Sequence, residues 1–216
     1  MTQTVFNSHV RDLLERYPAL EECAPQIEET LATLISTFES GGKLLICGNG
    51  GSASDSEHLV GELMKGYLAP RPVPEAMRQR LNEMYPELGE YLADHLQGAL
   101  PTISLVSQTA LMTAFINDVA ADMVFAQQVY GYGNEGDALI GISTSGNSGN
   151  VLHALRVARA KGVHTIGITG QSGGGMLELC DVTLRVPFQD TTDVQERHLA
   201  IYHTLCAMLE ARFFPA

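Results

Sequence analysis

Positive charge is scarce in this 216-residue chain. It has 13 Lys+Arg against 25 Asp+Glu, a formal net charge of −12. That balance argues against nucleic acid as a partner, because nothing would release counterions from a phosphate backbone. A phosphorylated small molecule stays open, since it needs only a few local N–H and hydroxyl donors. Long apolar runs are lacking too. None approaches the ~18 residues of a membrane span, and Met1–Phe6 lacks the basic start and apolar core of a signal peptide. No membrane partner is expected. Cys23, Cys47, Cys180 and Cys206 form no CxxC pair, which argues against a zinc knuckle or a disulfide framework. Reduced, mostly buried thiols in a cytoplasmic protein are expected instead. Internal repeats and low-complexity segments are absent.

What is present describes a core former. Hydrophobic residues make up 45% and charged residues 18%, and this length fits one domain spanning 1–216 that buries roughly 70% of its unfolded surface. Short, nearly continuous apolar runs at Lys43–Cys47, Thr102–Val106, Ala138–Ile142, Val163–Ile168 and Val182–Val186 suit strands covered on both faces. Helical patterns separate them: Pro25–Glu39, Ser52–Gly66, Val119–Tyr130, Asn147–Lys161 and a long last helix over 193–213. The alternation predicts an α/β fold, a doubly wound, five-stranded parallel sheet with ligands at the carboxyl ends of the strands. Residues 1–40 are expected to be helical. Between strands, 73–100 breaks the rhythm. Pro74 would open one helix with Met77, Leu81 and Met84 on a face, and Pro86 a second with Leu88, Leu92 and Leu96. A helical hairpin inserted into the core is the natural reading.

Two strand-to-helix junctions are rich in glycine and hydroxyls: Gly48-Asn49-Gly50-Gly51-Ser52 and Ser143-Thr144-Ser145-Gly146-Asn147-Ser148. Neither is a Walker loop or a dinucleotide fingerprint, for want of the Gly-Lys-Ser/Thr ending and the G-x-G-x-x-G spacing. A phosphate monoester of a small polyol fits such loops better than a nucleotide. His58 and Glu62, four apart on the helix that leaves the first loop, share a face and could hold one metal or one proton between them. Gln195, His198 and His203 are further candidates near the C-terminus. Gln195 and His203 on one straight helix would be separated by ~12 Å of rise and ~80° of rotation. Either Gln195 lies off that helix, or a common site takes residues from two subunits.

The runs GNGGSxSDxxHxxxEL (Gly48–Leu63), GDxLxGISTSGNSxNV (Gly136–Val151) and QExHxxxxH (Gln195–His203) resemble the sugar isomerase (SIS) domain and, more narrowly, the bacterial phosphoheptose isomerases. The resemblance covers nearly the whole chain outside Tyr67–Pro101. It implies a flavodoxin-like SIS fold and conversion of sedoheptulose 7-phosphate to D-glycero-D-manno-heptose 7-phosphate. It further implies one Zn²⁺ per subunit on His58, Glu62, Gln195 and His203, and substrate contacts from Asn49, Gly50, Gly51, Ser52, Glu62, Asn117, Asp118, Ser143, Thr144, Ser145, Ser148 and Gln195. Glu62 and His203 take the catalytic acid/base roles. The resemblance also implies a homotetramer with active sites between subunits.

The chemistry suits these residue types. Ketose–aldose interconversion through an enediol needs a base at a C–H bond and an acid at the carbonyl oxygen. A zinc ion would polarise that carbonyl. Two departures from the family stand out: the hairpin at 73–100 is longer, either reshaping the sugar pocket or thickening a subunit contact, and Thr192 stands where an acidic residue is typical, with Asp193 displaced by one. The alternatives are a non-catalytic SIS protein of the initiator-associating type, or an SIS enzyme acting on another sugar phosphate.

Overall fold

The computed structural model describes residues 2–215, with side chains from Ser8 onward. Two helices, α1 (Thr2–Arg16) and α2 (Ala24–Glu39), flank a 3₁₀ turn at Pro18–Cys23 and lead into the first strand. The strands are β1 (Leu44–Gly48), β2 (Thr102–Ser104), β3 (Ala138–Ser143), β4 (His164–Thr169) and β5 (Val182–Arg185). They form one parallel sheet in the order β2-β1-β3-β4-β5. The predicted α/β architecture and its five strands are therefore present, with ends shifted by one or two residues.

Alternation along each strand divides the core. Leu44 and Ile46 of β1, with Ala138, Ile140 and Ile142 of β3, face one layer. That layer holds α2, α3 (Gly51–Met64) and α9 (Thr191–Phe213). Leu45, Cys47 and Leu139 face the other, made from α7 (Val124–Tyr132) and α8 (Gly149–Ala160). Successive side chains of a strand point to opposite faces, so a sheet covered on both sides needs both sets apolar. Among the described residues no helix is long and apolar enough to cross a membrane.

Two segments differ from expectation. The helix anticipated at Val119–Tyr130 starts only at Val124: an unanticipated α6 (Thr109–Asp118) precedes it, Val119 leaves that helix at φ −130° and ψ −81°, and a 3₁₀ turn at Ala121–Met123 leads into α7. None of the α6 residues is fully buried, and its apolar side chains are split between half-buried Met112 and Phe115 and exposed Leu111 and Ile116. The inserted hairpin is present as α4 (Glu75–Met84) and α5 (Gly89–His95). Pro74 does precede α4, but Pro86 sits in the turn, and α5 starts three residues later. The anticipated apolar faces are largely solvent-facing: Met77, Met84, Leu88 and Leu96 are exposed, while Gly89 and Ala93 make the close contact.

Candidate functional site

Strand order 2-1-3-4-5 reverses direction between β1 and β3, which opens a crevice at their carboxyl ends. Parallel register pairs Gly48 with Ile142, so the two glycine- and hydroxyl-rich loops emerge side by side. A reciprocal amide pair joins them: Asn49 Nδ2 donates to Asn150 Oδ1 and Asn150 Nδ2 to Asn49 Oδ1, both at 2.9 Å. Asn150 lies inside the second run, but its pairing across 101 residues is visible only in the fold. Ser143 and Ser148 bring their hydroxyls to 2.9 Å. Gly146 adopts φ +67°, and a Cβ there would collide with the Gly173 carbonyl at 2.0 Å. Glycine is thus required for the turn. Neither α3 nor α8 has a side-chain cap at its N-terminus. Both helices start at these loops, so their positive dipole ends lie at the crevice and suit an anion.

The titratable groups gather farther along α3. His58 Nε2 is 3.1 Å from Glu62 Oε1 and 3.4 Å from His203 Nε2. Ligand atoms on these three residues all lie within 4.8 Å of one another. Two ligands of a tetrahedral zinc ion at 2.0–2.2 Å would be ~3.3–3.6 Å apart, so the spacing and the nitrogen–oxygen donor set fit such an ion. Burial, with a smaller push from His58, lowers the His203 pKa against an opposing pull from Glu62. The lowered value favours the neutral imidazole that a metal requires. Glu62 Oε2 is 3.8 Å from the exposed Lys65 ammonium.

Several neighbours that sequence reasoning passed over hold this cluster. Tyr67 stacks on the His203 ring at 5.7 Å between centroids. The Tyr202 hydroxyl lies 3.0 Å from His58 Nδ1 and 3.3 Å from Asp55 Oδ1. Burial and the Asp55 carboxylate push the Tyr202 pKa above the ordinary tyrosine range, so it stays a neutral hydroxyl. Arg71, fully buried, donates to the Glu62 and Leu63 carbonyls at the end of α3 and pairs with Glu210 at 2.8 Å. Glu210 also accepts from the backbone N–H groups of Tyr67, Leu68 and Ala69. Burial alone would raise its pKa, but those bonds and Arg71 outweigh it and hold the carboxyl below its usual range. Beyond His203 opens a cavity of about 330 Å³, bordered by His9, Asp12 and Arg16 of α1 as well as by Tyr67 and Thr204.

The remaining candidates are dispersed. Gln195 is on α9 with His203, in its second turn, which removes the option that it lies off the helix. Its amide rests against Gly51, where a Cβ would approach Nε2 to 2.4 Å, and Gly51 precedes His58 by about 10 Å of helical rise. Within one chain it therefore belongs to the loop crevice rather than to the His58–Glu62–His203 cluster. Asn117 and Asp118 hydrogen-bond to each other at the exposed end of α6. Ser52 is buried beneath the first loop, while Thr144 and Ser145 line the rim of the second. His198 is fully buried with neither ring nitrogen in hydrogen-bond geometry, so it joins neither group. Thr192 and Asp193 donate their N–H groups to Asp190, the cap of α9.

Known proteins resemble this chain in sequence and fold. A family model described as the SIS domain matches residues 78–170, a span that includes the STSGNS loop. Phosphoheptose isomerase from Rhodospirillum rubrum is 40% identical over 191 residues, 88% of each chain. Solved phosphoheptose isomerases from Neisseria gonorrhoeae and Francisella tularensis are each 31% identical to this chain. The first covers 95% of both chains and the second 96% of this chain and 95% of its own, both at TM-score 0.70. With identity at this level over nearly the full length of both partners, the chain belongs to the phosphoheptose isomerase family of SIS-domain enzymes.

Proposed function

We propose that this enzyme interconverts a ketose phosphate and an aldose phosphate, with sedoheptulose 7-phosphate and D-glycero-D-manno-heptose 7-phosphate as the pair. The observation that carries the reading is the convergence of His58, Glu62 and His203 within 4.8 Å, beside two uncapped helix N-termini suited to a phosphate. The phosphate would lie between the GNGGS and STSGNS loops, contacted by Asn49, Gly50, Gly51, Ser52, Ser143, Thr144, Ser145 and Ser148. Glu62 removes the C1 proton of the ketose and, after exchange with solvent, delivers a proton to C2. His203 protonates the C2 oxygen and accepts the hydrogen from O1. Those two exchanges complete the isomerisation through an enediol. His58, Glu62 and His203 would hold a zinc ion, which when bound polarises the carbonyl and stabilises the negative charge of the enediolate.

The fourth expected ligand, Gln195, cannot reach that cluster from the same helix. We therefore place it, with Asn117 and Asp118, in sites completed by a second copy of the chain, within a homotetramer. Free cysteines at 23, 47, 180 and 206 suit a cytoplasmic setting. The test uses the zinc-loaded protein and sedoheptulose 7-phosphate, with Glu62→Gln alongside. Formation of an aldoheptose phosphate by wild type and at least a ~100-fold loss in the variant support both the reaction and the base. Absence of turnover from a zinc-loaded oligomer overturns the substrate, and absence of zinc overturns the metal.

A further inference from the structure

The hydroxyl of Tyr202 touches two groups with opposite requirements. Asp55 Oδ1 is 3.3 Å away and His58 Nδ1 is 3.0 Å away. Asp55 Oδ2 is buried with no hydrogen-bond partner, and Tyr202 donates to the other carboxylate oxygen. Tyr202 itself is 1% exposed, packed in the core beneath α3, so water does not compete for its single hydrogen. An ionised carboxylate only accepts. If the hydroxyl hydrogen goes to Asp55, the tyrosine oxygen is left to accept from His58, and Nδ1 must carry the imidazole proton. Nε2 then presents a bare lone pair to Glu62 Oε1 and His203 Nε2, at 3.1 and 3.4 Å. The opposite orientation puts a proton on Nε2, at the position from which a metal ion would be bound.

We propose that Asp55 and Tyr202 form a directed relay that fixes His58 in its Nδ1–H tautomer and aims Nε2 into the cluster. Both are positioning residues, since neither reaches the cluster itself. The inference deepens the metal reading given above and rests on it for its purpose, though the tautomer is a property of the protein alone. Outer partners of this kind set ring orientation and ligand basicity, and their loss typically weakens metal binding 10–100-fold. Substituting the acceptor of such a chain also leaves the geometry in place while admitting the wrong tautomer.

Tyr202→Phe removes one oxygen and leaves the ring, so the packing against His58 survives. Two measurements on the full-length protein decide the matter. The first is the nitrogen resonances of ¹⁵N-histidine-labelled, metal-free protein at about pH 8, where an unperturbed imidazole is neutral; His58 is assigned with His58→Gln. Wild type is expected to show the proton on Nδ1, and Tyr202→Phe to lose that preference. The second is zinc affinity by competition with a chelator, expected to fall at least ~10-fold in Tyr202→Phe. Asp55→Ala, which frees the hydroxyl hydrogen to turn toward His58, is expected to give the same two changes and serves if the phenylalanine variant does not fold. A wild-type proton on Nε2, or unchanged tautomer and affinity in a folded variant, overturns the relay. If wild type shows the Nδ1 proton yet takes up no zinc, the relay stands and the metal reading falls.

Discussion

His198 lies in the seam where α9 meets β4, sealed from solvent beside the Thr169 backbone, with neither nitrogen in good hydrogen-bond geometry. Burial lowers its pKa to about 4, with the Thr169 backbone opposing weakly. The folded value is thus depressed below the unfolded one, near 6.5. Above that pH both states are neutral and the group is silent. As pH falls from about 6.5 to about 4, the unfolded chain takes up a proton that the folded chain refuses, and stability drops by about 1.4 kcal/mol per unit, roughly 3 kcal/mol in all. His198→Leu should flatten that part of the profile. Urea midpoints of both proteins at about pH 7 and pH 5 check it, and an unchanged difference between the two pH values counts against the assignment. Gly51 makes a second residue-level test. In Gly51→Ala the new Cβ displaces the flexible Gln195 amide, so kcat/KM should fall about tenfold or more while the melting temperature holds. Equal activity would separate Gln195 from the reaction. His58 and Glu62 were legible as a pair at helical spacing and His203 through the family resemblance, whereas the Asp55–Tyr202 contact was not. Those two are 147 positions apart and share no local pattern.

At the level of elements, the central strands β1, β3 and β4 were legible because they are buried on both faces and read as apolar runs. Helices were legible in proportion to how one-sidedly they are buried. α2 and α8 carry apolar stripes and lie close to where the pattern puts them, while α6 only half-buries Met112 and Phe115 and was not anticipated. The hairpin shows the reverse error. Its spacing predicts apolar seams, but glycine and alanine make the close packing, and the larger side chains face outward. The connection from α3 to the hairpin depends on one ion pair. Arg71 and Glu210 are both nearly inaccessible and together bind the last α3 carbonyls and three successive N–H groups of the following loop. Removing one partner leaves a buried charge, so Glu210→Ala should cost about 3–5 kcal/mol. Chemical denaturation measures it; a loss under about 1 kcal/mol would mean that water reaches Arg71 and replaces the carboxylate.

At the scale of the whole molecule, one chain holds the His58–Glu62–His203 cluster and the loop crevice but splits the expected zinc ligands along α9. Exposed Leu111, Ile116 and Val119 on and just after α6, near Asn117 and Asp118, add an apolar surface of the kind that subunits cover. Sites shared between copies make a specific prediction. His203→Asn and Gln195→Ala are each expected to be inactive alone, and co-refolding them should restore activity, because some hybrid sites contain both native residues. Light scattering confirms that mixed oligomers form; mixed oligomers without activity would place all ligands on one chain. The most direct test of the account is the isomerisation itself, run in D₂O with sedoheptulose 7-phosphate and the zinc-loaded protein. The account predicts an aldoheptose phosphate carrying deuterium at C2, because the proton that Glu62 removes exchanges with solvent before its return. No product, or product without deuterium at C2, would contradict it.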